Sequence, residues 1–478
     1  MTRALMSDMT GISRERRCLR GKPLMSAHSS LSRKEMERTA SFILVAVCLA
    51  CAGYCAPLQV EDFDFGPPLG SEGATIEKTG ENQFLVTLSH APEHPGWANH
   101  LQFRILRNAK GNPLKMTVRF VGETQYSFVS NFHSWSYDGV NWQPTPFAST
   151  KTETDPSTGQ KVRTAQLEFS AFEKDTVWFG FQVPMTYEQM VEMVERWKRH
   201  PAVTVHEIGR SLEGRKLIRL EIADPDSPYP KERRWVHYFA NQHPGEYNSM
   251  WRMVGMIEFL LSDEGKDARQ RSICHFVLMQ SPDGPGHGWH RTNRQGIDMN
   301  RSYAVAGAFP EQGHEPYLFQ KDLEGIMASS CPVTTVWSMH TWPGAADPTI
   351  AVSPADIAAL GPPEKCVELL KKFDPDHKLV KPLKIDSRAL RWRTRPWTPA
   401  DSKPDGKSGG TWDGGPRAQF GVTACLCEGG ADLLTKEENI ASGRVLIQAL
   451  TQYYEGIKPA AQAAEKTSAE TVPRPAGS

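Results

Sequence analysis

Near residue 185 the chain changes its period, and that change limits the folds open to it more than any other feature. From about residue 62 to 184, short runs of alternating apolar and polar residues are split by Gly, Pro, Asn and Asp. Residues 83–88, 101–106, 116–121, 165–169 and 177–181 each read as a strand. Period-two alternation with frequent turns predicts an antiparallel β-sandwich. Residues 185–199 then read as an amphipathic helix. Beyond them, strands at 236–240, 274–279, 334–339 and 421–427 alternate with helices at 247–261, 360–373 and 436–454. That order predicts an α/β domain, a mixed or largely parallel sheet with helices on both faces. In such sheets, loops that carry function gather at the carboxyl ends of the strands. The expected organisation is a leader over 1–56, a sandwich over 57–184, an α/β domain over 185–458 and a disordered tail over 459–478.

At 478 residues the chain is too long for one ordinary core, which agrees with two folded parts. Lys+Arg and Asp+Glu both count 55, so net charge gives no argument for nucleic acid or an anionic membrane as partner. Within the leader, Arg33 and Lys34 precede an apolar run from Phe42 to Gly53. Its length suits a secretory signal and falls short of the ~20 residues of a bilayer span. Export to the periplasm or beyond is therefore expected, with no integral membrane domain in the mature chain. Cys51 after Leu49-Ala50 is a loose lipobox and leaves a lipid anchor open. A true start at Met25 or Met36 would account for the hydrophilic stretch before the run. Four Cys lie in the leader; Cys274, Cys331, Cys366, Cys425 and Cys427 lie in the body without CxxC spacing. This is neither a disulfide scaffold nor a Cys zinc site, and any single disulfide cannot be paired from sequence.

The strand at 236–240 runs into Asn241-Gln-His-Pro-Gly-Glu246, which opens a helix. His243 and Glu246 stand three apart in a turn stiffened by Pro and Gly, so an imidazole nitrogen and a carboxylate oxygen can meet one cation. A surface His beside a solvated Glu would look the same. His340 closes the strand at 334–339, where a core histidine is the plainer reading. Two His and one Glu would leave a coordination position for water, as in catalytic zinc sites. Glu428 ends the strand at 421–427 amid apolar residues, a costly place for a carboxylate without a task or a partner. Beside a metal-activated water it suits a general base; an ion pair at a sheet edge is the alternative. Residues 282–301 hold Arg291, Arg294, Arg301 and Asn300 among turn residues, a donor cluster suited to carboxylates and oxyanions or simply a solvated loop.

The order HPGE, PDG, R-x₄-G-x-D-x-N-R, strand-end His and strand-end Glu resembles the zinc carboxypeptidase family. Gly209-Arg-Ser-Leu-Glu-Gly-Arg215 is also similar to that family's G-x-S-x-E-G-R segment. The nearest likeness is to the cytosolic-carboxypeptidase-like branch, which sets a β-sandwich before the catalytic domain, and it covers about residues 62–454. The resemblance implies a carboxypeptidase-like fold and one Zn²⁺ per chain held by His243, Glu246 and His340. It implies Asp298 as the carboxylate that orients His243, Arg291 at the scissile carbonyl, Asn300 and Arg301 on the terminal carboxylate, and Glu428 as general base. The implied substrates are the C-termini of peptides or proteins.

Several residues depart from the family pattern. The usual N-P-D-G reads Ser281-Pro-Asp-Gly, His340 is followed by Thr341-Trp342-Pro343, and no mobile tyrosine of the digestive enzymes can be placed. The loop 384–417 carries Arg388, Arg391, Arg393, Arg395 and Arg417, which would favour an acidic terminal residue unless they are merely solvated. The same metal site could instead serve an amidase or deacylase acting on N-acylated amino acids or peptidoglycan stem peptides. A non-catalytic module that binds through its sandwich is a third reading, disfavoured by the complete set of ligands, base and anion-binding residues.

Overall fold

A computed structural model of the chain describes residues 56–92, 94–122, 133–145, 148–303, 314–342, 347–381 and 410–458. The leader (residue 56 excepted), the C-terminal tail and most of the loop at 384–417 lie outside these residues. The described residues fall within one unit, Cys55–Ser478.

Two five-stranded sheets and one two-stranded sheet, His90–Ala91 with His94–Ala98, form the N-terminal part. One runs Phe63–Asp64, Phe103–Ile105, Val177–Phe181, His133–Ser136, Gln143–Thr145. The other runs Ser149–Thr154, Lys161–Phe169, Leu114–Val121, Gln83–Thr87, Thr75–Gly80. Along Leu114–Val121 every second residue is buried, so Leu114, Met116, Val118 and Phe120 face the core that they share with Phe103 and Phe179. The expected antiparallel pairing holds with one exception. Gln83–Thr87 and Leu114–Val121 pair parallel, because a strand of the other sheet, Phe103–Ile105, separates them in sequence.

Helix α1, Tyr187–Trp197, begins at a capping box in which the Gln189 amide donates to Thr186 Oγ1 and the Thr186 amide donates to Gln189 Oε1. It buries Met190, Met193, Val194 and Trp197, one face at helical spacing. These join the same hydrophobic cluster as the sandwich residues, so a continuous core passes into the second part of the chain.

There the strands are β1 (Val203–Arg210), β2 (Lys216–Ile222), β3 (Trp235–Asn241), β4 (Ser272–Val277), β5 (Thr335–Met339), β6 (Thr349–Ala351) and β7 (Thr423–Cys427). They form one sheet in the order β1-β2-β4-β3-β5-β7-β6, with β4, β3, β5 and β7 parallel and the outer pairings antiparallel. Every residue of β3 is buried. Trp235 and Phe239 face one core, with helices α2 (Tyr247–Leu261) and α4 (Lys436–Tyr453). Val236, Tyr238 and Ala240 face the other, with Phe319 and Leu323 of α3 (His314–Met327). Such two-sided burial explains why β3 reads as a continuous apolar run. Helices α2 and α4 touch backbone to backbone: a Cβ on Gly255 would lie 1.9 Å from the Ile440 carbonyl oxygen.

Several elements differ from the sequence expectation. The helix expected over 360–373 starts at Glu364, and a separate helix, Pro354–Leu360, precedes it; Gly361 at φ 89° and two prolines part them. The strand expected at 274–279 starts and ends two residues earlier. The hairpin β1–β2, helix α3 and strand β6 were not anticipated.

Candidate functional site

The site is assembled by the sheet register. In the parallel pair β5–β7, Met339 stands opposite Cys427, so the next residues out, His340 and Glu428, are neighbours. The ladder continues past the strand ends, where the His340 amide donates to the Cys427 carbonyl (2.7 Å) and the Trp342 amide to the Glu428 carbonyl (2.9 Å). On the other side Asn241 stands opposite Met339. Asn241 Nδ2 donates to Ser249 Oγ at 2.8 Å and to the Met339 carbonyl at 3.2 Å, fixing where the turn to His243 and Glu246 begins.

His243, Glu246 and His340 are each 2% exposed, and their ligating atoms lie within 4.8 Å of one another. Both imidazoles turn Nδ1 to the Glu246 carboxylate, at 2.9 Å for His243 and 2.7 Å for His340. Their far nitrogens are tied elsewhere. His243 Nε2 lies 3.3 Å from Asp298 Oδ1, and His340 Nε2 lies 2.8 Å from Ser338 Oγ and 2.9 Å from Asn300 Nδ2. With a metal bound, a carboxylate on Nε2 would keep the proton there and leave the Nδ1 lone pair of His243 to the ion. Two convergent imidazole nitrogens and a carboxylate, with a cavity beside them, match the donor set of a catalytic zinc centre. Burial alone would raise the Glu246 pKa; the charges and hydrogen bonds of His243 and His340 outweigh it and hold the carboxyl well below its ordinary value. Among the described residues this is the one group of three or more His, Cys, Asp or Glu close enough to hold a metal.

Asp298 links the centre to the donor loop. Its Oδ2 accepts from Arg291 Nε at 2.8 Å and its Oδ1 from the Asn300 amide at 2.9 Å. Burial acts to raise the Asp298 pKa, but Arg291 and His243 bring it well below the usual range; burial likewise opposes and Asp298 supports the charge of Arg291. Asn300 Oδ1 accepts from the Trp412 amide at 2.8 Å, so this side chain braces His340 as well as lining the cavity. Arg301 donates to the Asn300 carbonyl at 2.7 Å.

The two sequence segments flanking this loop lock into each other. Asp283 of the PDG turn accepts from Ser211 Oγ (2.7 Å), Arg215 (2.8 Å) and the Glu213 amide (3.2 Å). The G-x-S-x-E-G-R segment is thus a clasp for the donor loop rather than a part of the chemistry. Ser281 in place of the usual Asn donates to the Thr292 carbonyl within the same loop.

Every residue given a role by the resemblance reaches this place, whereas Arg294 of the donor cluster pairs with Glu72 at 2.9 Å and does not line the cavity. His243, Glu246, Arg291, Asn300, Arg301, His340 and half-buried Glu428 line one cavity of about 190 Å³, and Asp298 stands behind it. Sequence reasoning missed two further wall residues, Trp97 and Thr411. Trp97 lies in the strand His94–Ala98, which pairs with His90–Ala91 in a two-stranded sheet apart from the two sandwich sheets, and has no local pattern to mark it. Of the arginines of the 384–417 loop, Arg417 is described, in the helix Gly414–Phe420, and it is not among the cavity's lining residues. Arg388, Arg391, Arg393 and Arg395 lie outside the described residues. The five body cysteines are free thiols.

Residues 190–339 match the family model described as zinc carboxypeptidase. Cytosolic carboxypeptidase 2 of Danio rerio is 34% identical over 145 residues, 29% of this chain and 20% of that protein. Cytosolic carboxypeptidase 2 of Xenopus tropicalis is 24% identical over 255 residues, 49% of this chain and 26% of that one. The chain therefore spans about a fifth to a quarter of the length of these curated relatives. Among solved structures, a metallo-carboxypeptidase from Burkholderia cenocepacia aligns with TM-score 0.60 at 19% identity, over 82% of this chain and 99% of its own. A metallo-carboxypeptidase from Pseudomonas aeruginosa aligns with TM-score 0.56 at 18% identity, over 83% and 98%. These two share the fold, including the part formed by the sandwich.

Proposed function

We propose, taking as premise the zinc carboxypeptidase domain matched over residues 190–339, that this chain is a metallocarboxypeptidase that removes C-terminal residues from peptides or proteins. The observation that carries this reading is the convergence of a His-Glu-His donor set, a carboxylate and three anion-binding side chains on one cavity.

His243, Glu246 and His340 would hold the zinc. When bound, the ion supplies Lewis acidity that makes hydroxide available from water near neutral pH. Glu428 takes the proton from the attacking water and passes it to the leaving amine. Arg291, pinned by Asp298, meets the negative charge that grows on the scissile carbonyl oxygen. Arg301 and Asn300 hold the substrate's terminal carboxylate. The planar guanidinium can grip both oxygens, which restricts cleavage to the last bond. Export is part of the proposal and rests on the apolar run from Phe42 to Gly53 alone. Among the described residues no helix is long and apolar enough to cross a membrane. Fractionation of expressing cells checks the location: protein wholly in the cytosol, with its leader intact, contradicts export.

The test of the activity is a mixed peptide library read by mass spectrometry. Single residues should leave the C-termini in the presence of the unmutated protein and not with Glu428→Ala. Bound zinc without any trimming would overturn the carboxypeptidase reading in favour of an amidase or deacylase.

A further inference from the structure

The N-terminal part does more than precede the seven-stranded sheet: its two-stranded sheet reaches into the cavity. Trp97, in the strand His94–Ala98, is 5% exposed and lines the cavity with the metal ligands. Its ring is stacked on the His290 imidazole, with centroids 4.9 Å apart and planes 14° apart. The guanidinium carbon of Arg291 lies 4.9 Å from the same ring's centroid, a cation–π contact, and Trp342 meets Trp97 edge to face at 6.4 Å. One indole from the N-terminal part thus touches the arginine assigned to the scissile carbonyl and the tryptophan that follows His340 by two residues.

The position of Trp97 is fixed by the residues around it. The His100 amide donates to the Gly288 carbonyl at 2.7 Å, and His100 Nε2 pairs with His290 Nδ1 at 2.8 Å. The His100 ring fills the space where a Cβ on Gly245 would lie, 2.3 Å from its Cε1. The Glu72 amide donates to the His287 carbonyl, and Gln102 Nε2 donates to the Pro285 carbonyl. The sandwich is therefore hydrogen-bonded along the donor loop from Pro285 to His290 and packed on the metal-binding turn. A wall held at so many points is rigid enough to discriminate between substrates.

We propose that Trp97, with Trp342, forms the pocket for the side chain on the amino side of the scissile bond, and that this pocket selects large apolar or aromatic residues there. The inference rests on the carboxypeptidase reading above. Arg291 faces the carbonyl of the penultimate residue, so that residue's side chain is the one brought beside an indole stacked on Arg291. Two tryptophan rings meeting at 78° offer apolar surface. The nearby arginine charge is already balanced by Asp298 and gives an acidic side chain little to gain.

The experiment measures kcat/KM on peptides with one fixed terminal residue and Gly, Leu, Phe or Glu at the penultimate position. The wild-type protein, Trp97→Ala and Trp97→Phe are compared, with zinc content and Tm measured for each. The wild type should favour Phe and Leu over Gly and Glu by about 10- to 100-fold, the range a single apolar pocket supplies. Trp97→Ala should compress that spread to under about threefold, and Trp97→Phe should keep most of it. Should Trp97→Ala fail to fold, Trp97→Leu keeps bulk without the aromatic face and should still narrow the preference for Phe over Gly. A spread in Trp97→Ala or Trp97→Leu as wide as that of the wild type, with or without an equal loss on all four peptides, overturns the proposal while leaving the carboxypeptidase reading intact. A wild-type protein that binds zinc and releases nothing from any peptide overturns the carboxypeptidase reading itself, and the proposal with it.

Discussion

Two buried polar clusters sit on the catalytic sheet, and both contain a histidine and a charged pair. At the carboxyl ends of β3 and β5, His243, Glu246 and His340 meet Asp298 and Arg291. Within the sheet, Arg219 of β2 donates to Asp322 Oδ2 (2.8 Å) and to His275 Nδ1 (2.8 Å), while Tyr238 donates to the same Asp322 oxygen (2.9 Å). The second cluster is closed off from the cavity: its polar atoms turn to one another and to Glu221, 3.9 Å from Arg219, and none of its four residues lines the cavity at the metal site. Burial and then the charge of Arg219 push His275 down to about 3, so it is neutral and accepts from the guanidinium. In the first cluster, three potential ligand atoms point at one place that borders a cavity. Buried charge alone does not mark a site; convergence of donors beside a void does.

The comparison breaks most readily at Glu428. Glu428→Gln removes the base without touching a metal ligand and should lower kcat by about 10²- to 10⁴-fold with zinc content unchanged. Retained activity would move the base to another residue. Asp298→Asn takes the carboxylate from His243 Nε2 and should weaken zinc binding by about 10- to 100-fold, read by competition with a chelator. Equal affinity would reduce Asp298 to a partner of Arg291 alone.

The closed cluster should respond in the opposite manner. Arg219→Met leaves the mostly buried Asp322 without its cation and should cost about 3 kcal/mol of stability in urea unfolding. Zinc content and kcat per folded molecule should not change. A loss of zinc there would mean that the two clusters are coupled through the sheet.

Acid sharpens the same contrast. Burial lowers His133, His237 and His275 from 6.5 to about 3. Below pH 6.5 the unfolded chain takes up protons that the folded chain refuses, so the stability from these groups is complete above 6.5 and falls away toward pH 3. Each histidine contributes a slope of about 1.4 kcal/mol per pH unit across that window. The urea midpoint should therefore fall steeply between pH 6 and pH 4. A flat profile would show that these imidazoles are charged or solvated in the folded protein.

What the sequence made legible follows the same physics. His243, Glu246, His340 and Glu428 could be found because each stands just past an apolar, buried strand, where a polar residue is conspicuous. The helix at Tyr247–Leu261 was read to the residue. The strand Val203–Arg210 was missed because it lies at the sheet edge with no residue fully buried, so alternation is weak. Local pattern alone does not separate His275 from His340, since both lie in or at the end of an apolar strand; the order of the motifs pointed to His340, and in space His340 faces Glu246 while His275 faces Arg219. Trp97 was invisible for a related reason. Its partners Arg291 and Trp342 come from distant loops, and pairing across separate parts of a chain leaves no local period.

Zinc stoichiometry and affinity, measured side by side on the wild-type protein, Glu246→Ala and Arg219→Met, decide whether His243, Glu246 and His340 hold the metal. The wild type and Arg219→Met should carry close to one zinc per chain and Glu246→Ala almost none. A Glu246→Ala protein that keeps its zinc at undiminished affinity, or a wild type that takes up none, would contradict that assignment.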